Sequence, residues 1–367
     1  MRNILNISAI LLCLCAIAIP QTVEDMKAGQ LAERQAVADY RAKNFAGFLE
    51  NIQKADSMRP NHSRLIYNLS VAHVLNGQHD KALTGLERLA KMGLAFQIET
   101  GELFKPLFEN AKFKDIQQQM NRNKIPLNRS QRAFALDEKE LITEGIAFNP
   151  RTESYYLSSI HQRKILEFKN GEVREFSENK DGLWSVSGMK VDVKRQFLWV
   201  CSSAFPQMKG FRKEDDGKSG IFKYDLKTGK LLKTYLLSND SEKHALGDLV
   251  LNKNGDVFAS DSSSPYVYFI DSKTDKLEAL VKSDLFTSLQ GLAFSGDEKS
   301  LFVADYGKGI FKIDPASRAI TQLKPAENVT LLGIDGLYFL DGKLIAIQNG
   351  INPQRVVSFT LNLRSNE

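Results

Sequence analysis

Five times after residue 140 the chain repeats one short phrase: a residue that is usually polar, a glycine or once an aspartate, then alternating apolar residues. The copies are Glu144-Gly145-Ile146-Ala147-Phe148, Ser187-Gly188-Met189-Lys190-Val191, Gly247-Asp248-Leu249-Val250-Leu251, Gln290-Gly291-Leu292-Ala293-Phe294 and Asp335-Gly336-Leu337-Tyr338-Phe339. They recur at spacings of about 43, 60, 43 and 45 residues, the length of a four-stranded blade in a radial β-repeat. A β-propeller follows, and with it the place of a functional site, because equivalent positions of all blades meet at one central channel. A second apolar run follows each copy after a turn: Tyr155-Tyr156-Leu157, Phe197 to Val200, Val257-Phe258-Ala259, Leu301-Phe302-Val303 and Leu344-Ile345-Ala346. Third and fourth strands read most clearly as Ile221 to Asp225 and Lys230 to Tyr235, joined by Lys227-Thr228-Gly229. The longer second spacing comes from a polar insertion, Phe205 to Lys218, which should project at one mouth of the channel.

With 367 residues the chain has room for two or three domains. Its net charge of +5 is dispersed, and Lys209 to Lys213 is offset by Glu214-Asp215-Asp216, so no nucleic-acid partner is expected. One basic residue, Arg2, precedes an apolar run from Ile7 to Ile19 with small residues at Ala16 and Ala18. Residues 1–20 therefore read as a signal peptide, too short to be a stable membrane span, and the protein is expected to be secreted or periplasmic after cleavage. Cys201 is then left without a disulfide partner and reads as a packed thiol.

Between residues 31 and 120 apolar residues recur three and four apart, as on helices. Tyr67, Val71, Val74 and Leu75 form one stripe, Ala82, Leu83, Leu86 and Leu89 the next after Asn76-Gly77-Gln78, and an earlier unit from Val37 to Met58 closes at Pro60. These phrases resemble tetratricopeptide repeats, which implies a groove able to hold a peptide; a short helical cap packed on the propeller is the alternative reading. A polar, proline-containing linker at 121–130 separates this module from the propeller, residues 131–367.

The phrases Glu144-Gly145, Ser187 to Asp192 with Leu198-Trp199-Val200, and Val303-Ala304-Asp305-Tyr306 resemble the six-bladed propellers of the regucalcin and gluconolactonase family, with echoes of strictosidine-synthase-like propellers. The fold class expected is thus mainly β with an N-terminal all-α module, a propeller of six-bladed type in which five blades are clearly encoded. Arg132 to Leu136 reads as an outer strand lent to the last blade; either five blades close in this way or a sixth lies outside the chain.

The resemblance implies a divalent ion, calcium above all, held where the first strands begin, and hydrolysis of a lactone or ester. By that resemblance Glu144 is the matching acid and, with Asp335, a catalytic candidate; neither asparagine of the family is matched. Ser187, Asp248 and Gln290 occupy or adjoin the remaining slots, and His161, Ser202, Asp261, Asp305 and Asn349 follow the second strands at the same mouth. Glu144, Asp261, Asp305 and Asp335 form the expected metal cluster, with Ser187, Asp248, Gln290, His161 and Asn349 as ligand-binding candidates. Two functions stand open: binding of a small polar ligand or protein partner at the mouth, and metal-dependent lactone or ester hydrolysis. Aspartates that brace turns and glycines that permit close strand packing explain the same residues without either.

Overall fold

A computed structural model describes residues 23–237 and 242–362. The predicted signal peptide lies outside the described residues. Among those described, no helix is long and apolar enough to cross a membrane.

Among the described residues five α-helices come first: α1 (Val23–Arg41), α2 (Phe45–Met58), α3 (Ser63–Leu75), α4 (His79–Lys91) and α5 (Ala111–Asn123). The unit expected from Val37 to Met58 is divided, because Lys43 turns left-handed and the Asn44 side chain accepts the Gly47 amide to start α2. Gly77, also left-handed, reverses the chain between α3 and α4. Phe48, Ile52, Leu65, Leu86, Leu89, Phe104 and Phe113 form one helical core.

The rest is a five-bladed propeller. Blade one contains β1 (Ile146–Asn149), β2 (Ser154–Ser158), β3 (Ile165–Lys169) and β4 (Glu172–Glu175). Blade two contains β5 (Ser185–Asp192), β6 (Phe197–Ser203), β7 (Ser219–Asp225) and β8 (Leu231–Leu236). Blade three runs through β9 (Leu246–Leu251), β10 (Val257–Asp261), β11 (Tyr266–Asp271) and β12 (Lys276–Lys282). In blade four lie β13 (Leu289–Phe294), β14 (Leu301–Asp305), β15 (Gly309–Ile313) and β16 (Ile320–Gln322), and in blade five β17 (Ile334–Leu340), β18 (Lys343–Gln348) and β19 (Arg355–Thr360). Every blade is an antiparallel meander; among the described residues blade five has three strands and the others four.

Each junction between consecutive blades is sealed by apolar side chains. Ala147 and Tyr156 meet Met189 and Leu198; Trp199 and Tyr235 meet Leu249 and Val257; Phe258 and Val267 meet Leu292 and Val303; Phe302 and Ala304 meet Leu337 and Leu344. Burial of each large side chain stabilises by roughly 2 kcal/mol, so the interfaces carry much of the fold. Blades five and one differ. No hydrophobic cluster of the described residues joins them, and Ile146, Phe148, Tyr338, Ile347 and Val356 are exposed.

Arg132 to Leu136 does not pair with the last blade. It forms no strand, and Phe134 stacks on Phe168 at 4.1 Å between ring centroids and packs on Tyr155, covering the outer flank of blade one with Leu136 and Leu141. Aromatic packing on blade one thus holds the segment that reads in sequence as an outer strand of the last blade.

The helical region docks on blades four and five, at the mouth where the first strands begin. Ile351, in the turn between β18 and β19, enters the helical core. The Ala95 amide donates to Asn352 O at 2.9 Å, Asn352 Nδ2 to Ala95 O at 3.0 Å, and Arg355 Nη1 to Met92 O at 2.9 Å.

Candidate functional site

The repeated phrase builds the channel. A Cβ on Gly188 would lie 2.6 Å from the Asp248 Cα, one on Gly145 would strike the Ser187 carbonyl, and one on Gly291 the Leu337 amide. Glycine lets the inner strands of successive blades approach at these three positions. At Gly336 a Cβ would meet only Ile347 of the same blade, because no neighbouring strand stands there.

A cavity of about 390 Å³ opens along this mouth, and its wall includes Glu144, Ser187, Asp248, Gln290 and Asp335, the residues in or beside the polar slot of all five copies. Ile146, Tyr338 and Ile347 also line it, so the channel opens laterally between blades five and one. Phe205 and Gln207 bring the insertion of blade two over its edge. That loop is held by His161, whose Nδ1 lies 2.7 Å from Gln207 O and whose carbonyl accepts the Lys209 amide at 2.8 Å. His161 thus anchors the rim loop and does not line the cavity.

Three carboxylates set the charge of this cavity. Partial burial, and then the charge of Asp335, raise the pKa of Glu144; burial raises that of Asp335, against the Asn349 amide, which donates to its Oδ2 at 2.7 Å. Burial also raises Asp248, and Lys190 at 4.0 Å offsets only part of this because the pair is long and Asp335 adds negative charge. Lys190 itself is disfavoured by burial, yet Asp248 and Tyr338 more than compensate and keep it ammonium. Its Nζ sits 4.6 Å from the centre of the Tyr338 ring, so a side chain of blade two reaches one of blade five.

The Ser187 hydroxyl is committed to structure, donating to Leu246 O of the next blade at 2.9 Å. Ser260 similarly donates to Gln290 O at 2.5 Å. These bonds staple blade two to three and three to four beside the channel.

The expected four-carboxylate cluster is not assembled. Asp305 accepts from the amides of Thr287, Ser288, Gly307 and Lys308 and from the Thr287 hydroxyl at 2.7 to 3.1 Å. Asp261 accepts from the amides of Ala245, Ser263 and Ser264 at 3.0 Å and lies 2.7 Å from His244 Nδ1. Both are fully buried within their own blades, apart from the channel wall, and their oxygens satisfy backbone donors that would otherwise be orphaned. Other blades brace the same strand end with uncharged side chains, which satisfy backbone carbonyls as well as amides. Ser159 donates to Leu141 O, Ser202 accepts the Trp184 amide, and Gln348 donates to Thr330 O and Leu332 O. Each ties the end of a second strand to the loop entering its blade. Among the described residues no three acidic, histidine or cysteine side chains converge as a metal cage.

Lys190 and Tyr338 were not among the sequence candidates. They share one slot of the repeat, three residues after the variable polar residue, where the other copies have Ala147, Val250 and Ala293. A lone lysine in an apolar slot is the signal that could have found them. Cys201 is buried, with its thiol pushed well above the ordinary range by burial, in accord with a packed role.

No family model matches the chain, and no curated protein matches it. Solved structures similar to it include a gluconolactonase from Xanthomonas campestris, at TM-score 0.45 and 17% identity, over 60% of this chain and 73% of that one. Another belongs to a nidogen/laminin complex, at TM-score 0.45 and 15% identity, over 62% of this chain and 82% of that one. Nothing about activity follows from either likeness.

Proposed function

We propose that the propeller mouth binds a small polar ligand bearing positive charge, seated between Glu144 and Asp335. The observation that carries this reading is the carboxylate pair itself: two acids in one cavity, each made harder to ionise by burial and one of them by the other's charge. A cation between them relieves that repulsion and gains two charge-assisted contacts. Gln290 and Asn349 add neutral polar groups beside the pair; Asp248 accepts the Leu249 amide and faces Lys190, which leaves Glu144 and Asp335 as the acids open to a ligand.

A hard divalent ion such as calcium would draw on the same two acids and on amide oxygens. Lactone or ester hydrolysis, which the family resemblance implies, would rest on that pair as well. With Asp248 facing Lys190, two acids are left, and these fit an organic ammonium group better than a tightly held ion, which favours three or more anionic donors. A protein partner at the same mouth is the alternative occupant, a peptide in the groove of the helical region would be an additional role, and cleavage of residues 1–20 would accompany export.

Calorimetric titration of the protein with calcium alone and with simple primary amines tests the reading. Saturable amine binding that falls about tenfold or more in Asp335→Asn and Glu144→Gln is expected, equivalent to roughly 1.4 kcal/mol. Tight calcium binding by the same pair would replace the amine with an ion, and hydrolysis of a lactone panel lost in both variants would establish the catalytic reading. Absence of heat with every probe would overturn the proposal.

A further inference from the structure

The flanks of blades five and one face each other across the lateral opening of the channel. Successive strand residues point to opposite faces of a blade. Ala147 packs towards blade two and Leu337 towards blade four, so Ile146 and Phe148 on one side, and Tyr338 and Leu340 on the other, turn towards the opening. Met189, which holds the place of Ile146 in blade two, is 1% exposed beneath its neighbour, whereas Ile146 is 48% exposed. From the mouth outwards blade one thus presents an acid and two apolar side chains at steps of two residues, Glu144, Ile146 and Phe148.

The complementary order stands exposed elsewhere on the same chain. After α5 the linker carries Ile125 and Leu127, 69% and 77% exposed, and then an exposed Arg129. Residues 126–130 belong to no helix or strand, and Pro126 biases Ile125 to an extended backbone. In an extended segment Ile125, Leu127 and Arg129 share one face at intervals of about 6.5 Å. Run antiparallel to β1, they meet Phe148, Ile146 and Glu144 in turn. Every chain carries both the cleft and the segment, so two copies related by a two-fold axis can exchange linkers and make the contact twice.

We infer that this cleft binds the linker of a second copy, with Ile125 and Leu127 between the apolar flanks of blades five and one and the Arg129 guanidinium on Glu144 and Asp335. The inference rests on the reading of those two acids as the seat of a cation, and it names the cation. A guanidinium suits them because its planar fork donates to carboxylate oxygens in pairs. An acidic or uncharged segment would leave the charges of Glu144 and Asp335 uncompensated.

Sedimentation equilibrium of the full-length protein tests this. A reversible dimer is expected, with Kd of about 1 to 100 μM. Leu127→Asp and Arg129→Ala, at exposed positions where folding is not at stake, should each weaken it about tenfold or more. Arg129→Ala combined with Glu144→Gln should weaken it by less than the product of the two single effects, because both remove one contact. A protein that stays monomeric, a dimer that either linker variant leaves unweakened, or full additivity of Arg129→Ala and Glu144→Gln would each overturn the inference. The amine titration, repeated on Leu127→Asp, whose cleft is free, separates the two readings. Amine binding by a protein that never dimerises removes the second copy and leaves the small ligand; a linker-dependent dimer without amine binding removes the small ligand and leaves the second copy.

Discussion

Asp305 and Asp335 both stand at the same mouth of the propeller and both begin as aspartates with an obvious claim to function, yet the fold uses them in opposite ways. Asp305 is buried and accepts four backbone amides and a hydroxyl; Asp335 is partly open and is engaged by the amide of Asn349. The difference is one of strand. Asp305 ends a second strand, where the loop entering the blade turns its amides inward, while Asp335 lies at the start of a first strand and faces the channel. An acid is free for a ligand only where the backbone does not need it.

The largest test of that contrast is to remove each acid. Asp305→Ala leaves the amides of Thr287, Ser288 and Gly307 without this acceptor, while Lys308 keeps the Asp305 carbonyl, and should cost about 3 kcal/mol, read as a lowered urea midpoint, while Asp335→Ala should change stability by less than about 1 kcal/mol. Comparable losses in the two variants would erase the distinction.

A second pair of substitutions probes the scaffold that carries Asp335. Gly291→Ala drives a methyl group into the Leu337 amide and towards the Asp335 carbonyl, at 2.9 Å, and should cost roughly 2 kcal/mol through overpacking. Gly336→Ala meets only the Ile347 side chain, which can move, and should cost under about 1 kcal/mol. Thermal denaturation of both variants decides, and equal losses would mean that blade five is packed on both flanks alike.

The smallest effect lies in pH. Glu144 and Asp335 have raised pKa values in the folded protein, so the folded state holds protons that the unfolded chain has already released. Their contribution is fully present below the ordinary carboxylate range and is lost as pH rises through the raised folded values. Asp335→Asn removes one group and relieves the other, so stability should decline less over that rise, by a difference within about 1 kcal/mol. A pH profile superimposable on that of the parent protein would show that neither the titration of Asp335 nor its charge on Glu144 contributes to stability.

Much of this arrangement was legible in the chain. The glycine phrases located all five inner strands, the runs from Tyr155, Phe197, Val257, Leu301 and Leu344 located their neighbours, and Asn76-Gly77-Gln78 located a helical turn. The carboxylates were harder to sort. Asp261 and Asp305 look in sequence like Glu144 and Asp335, since one letter does not record whether amides from a distant loop will saturate it. Lys190 lies within a strand, and its meeting with Asp248 and Tyr338 depends on three blades converging. The segment at Arg132 reads as an outer strand of the last blade, but the ring stacking of Phe134 on Phe168 holds it on blade one.

By itself the sequence determined the repeat, the strand alternation, the helical region before it and the chemical types available at the mouth, because these follow from local periodicity and turn chemistry. Only the tertiary structure decided which acids stay open, that a lysine crosses the channel, and that the flanks of blades five and one are unsealed. Those outcomes depend on which backbone donors and apolar faces meet across long sequence separations, and that competition is settled by packing.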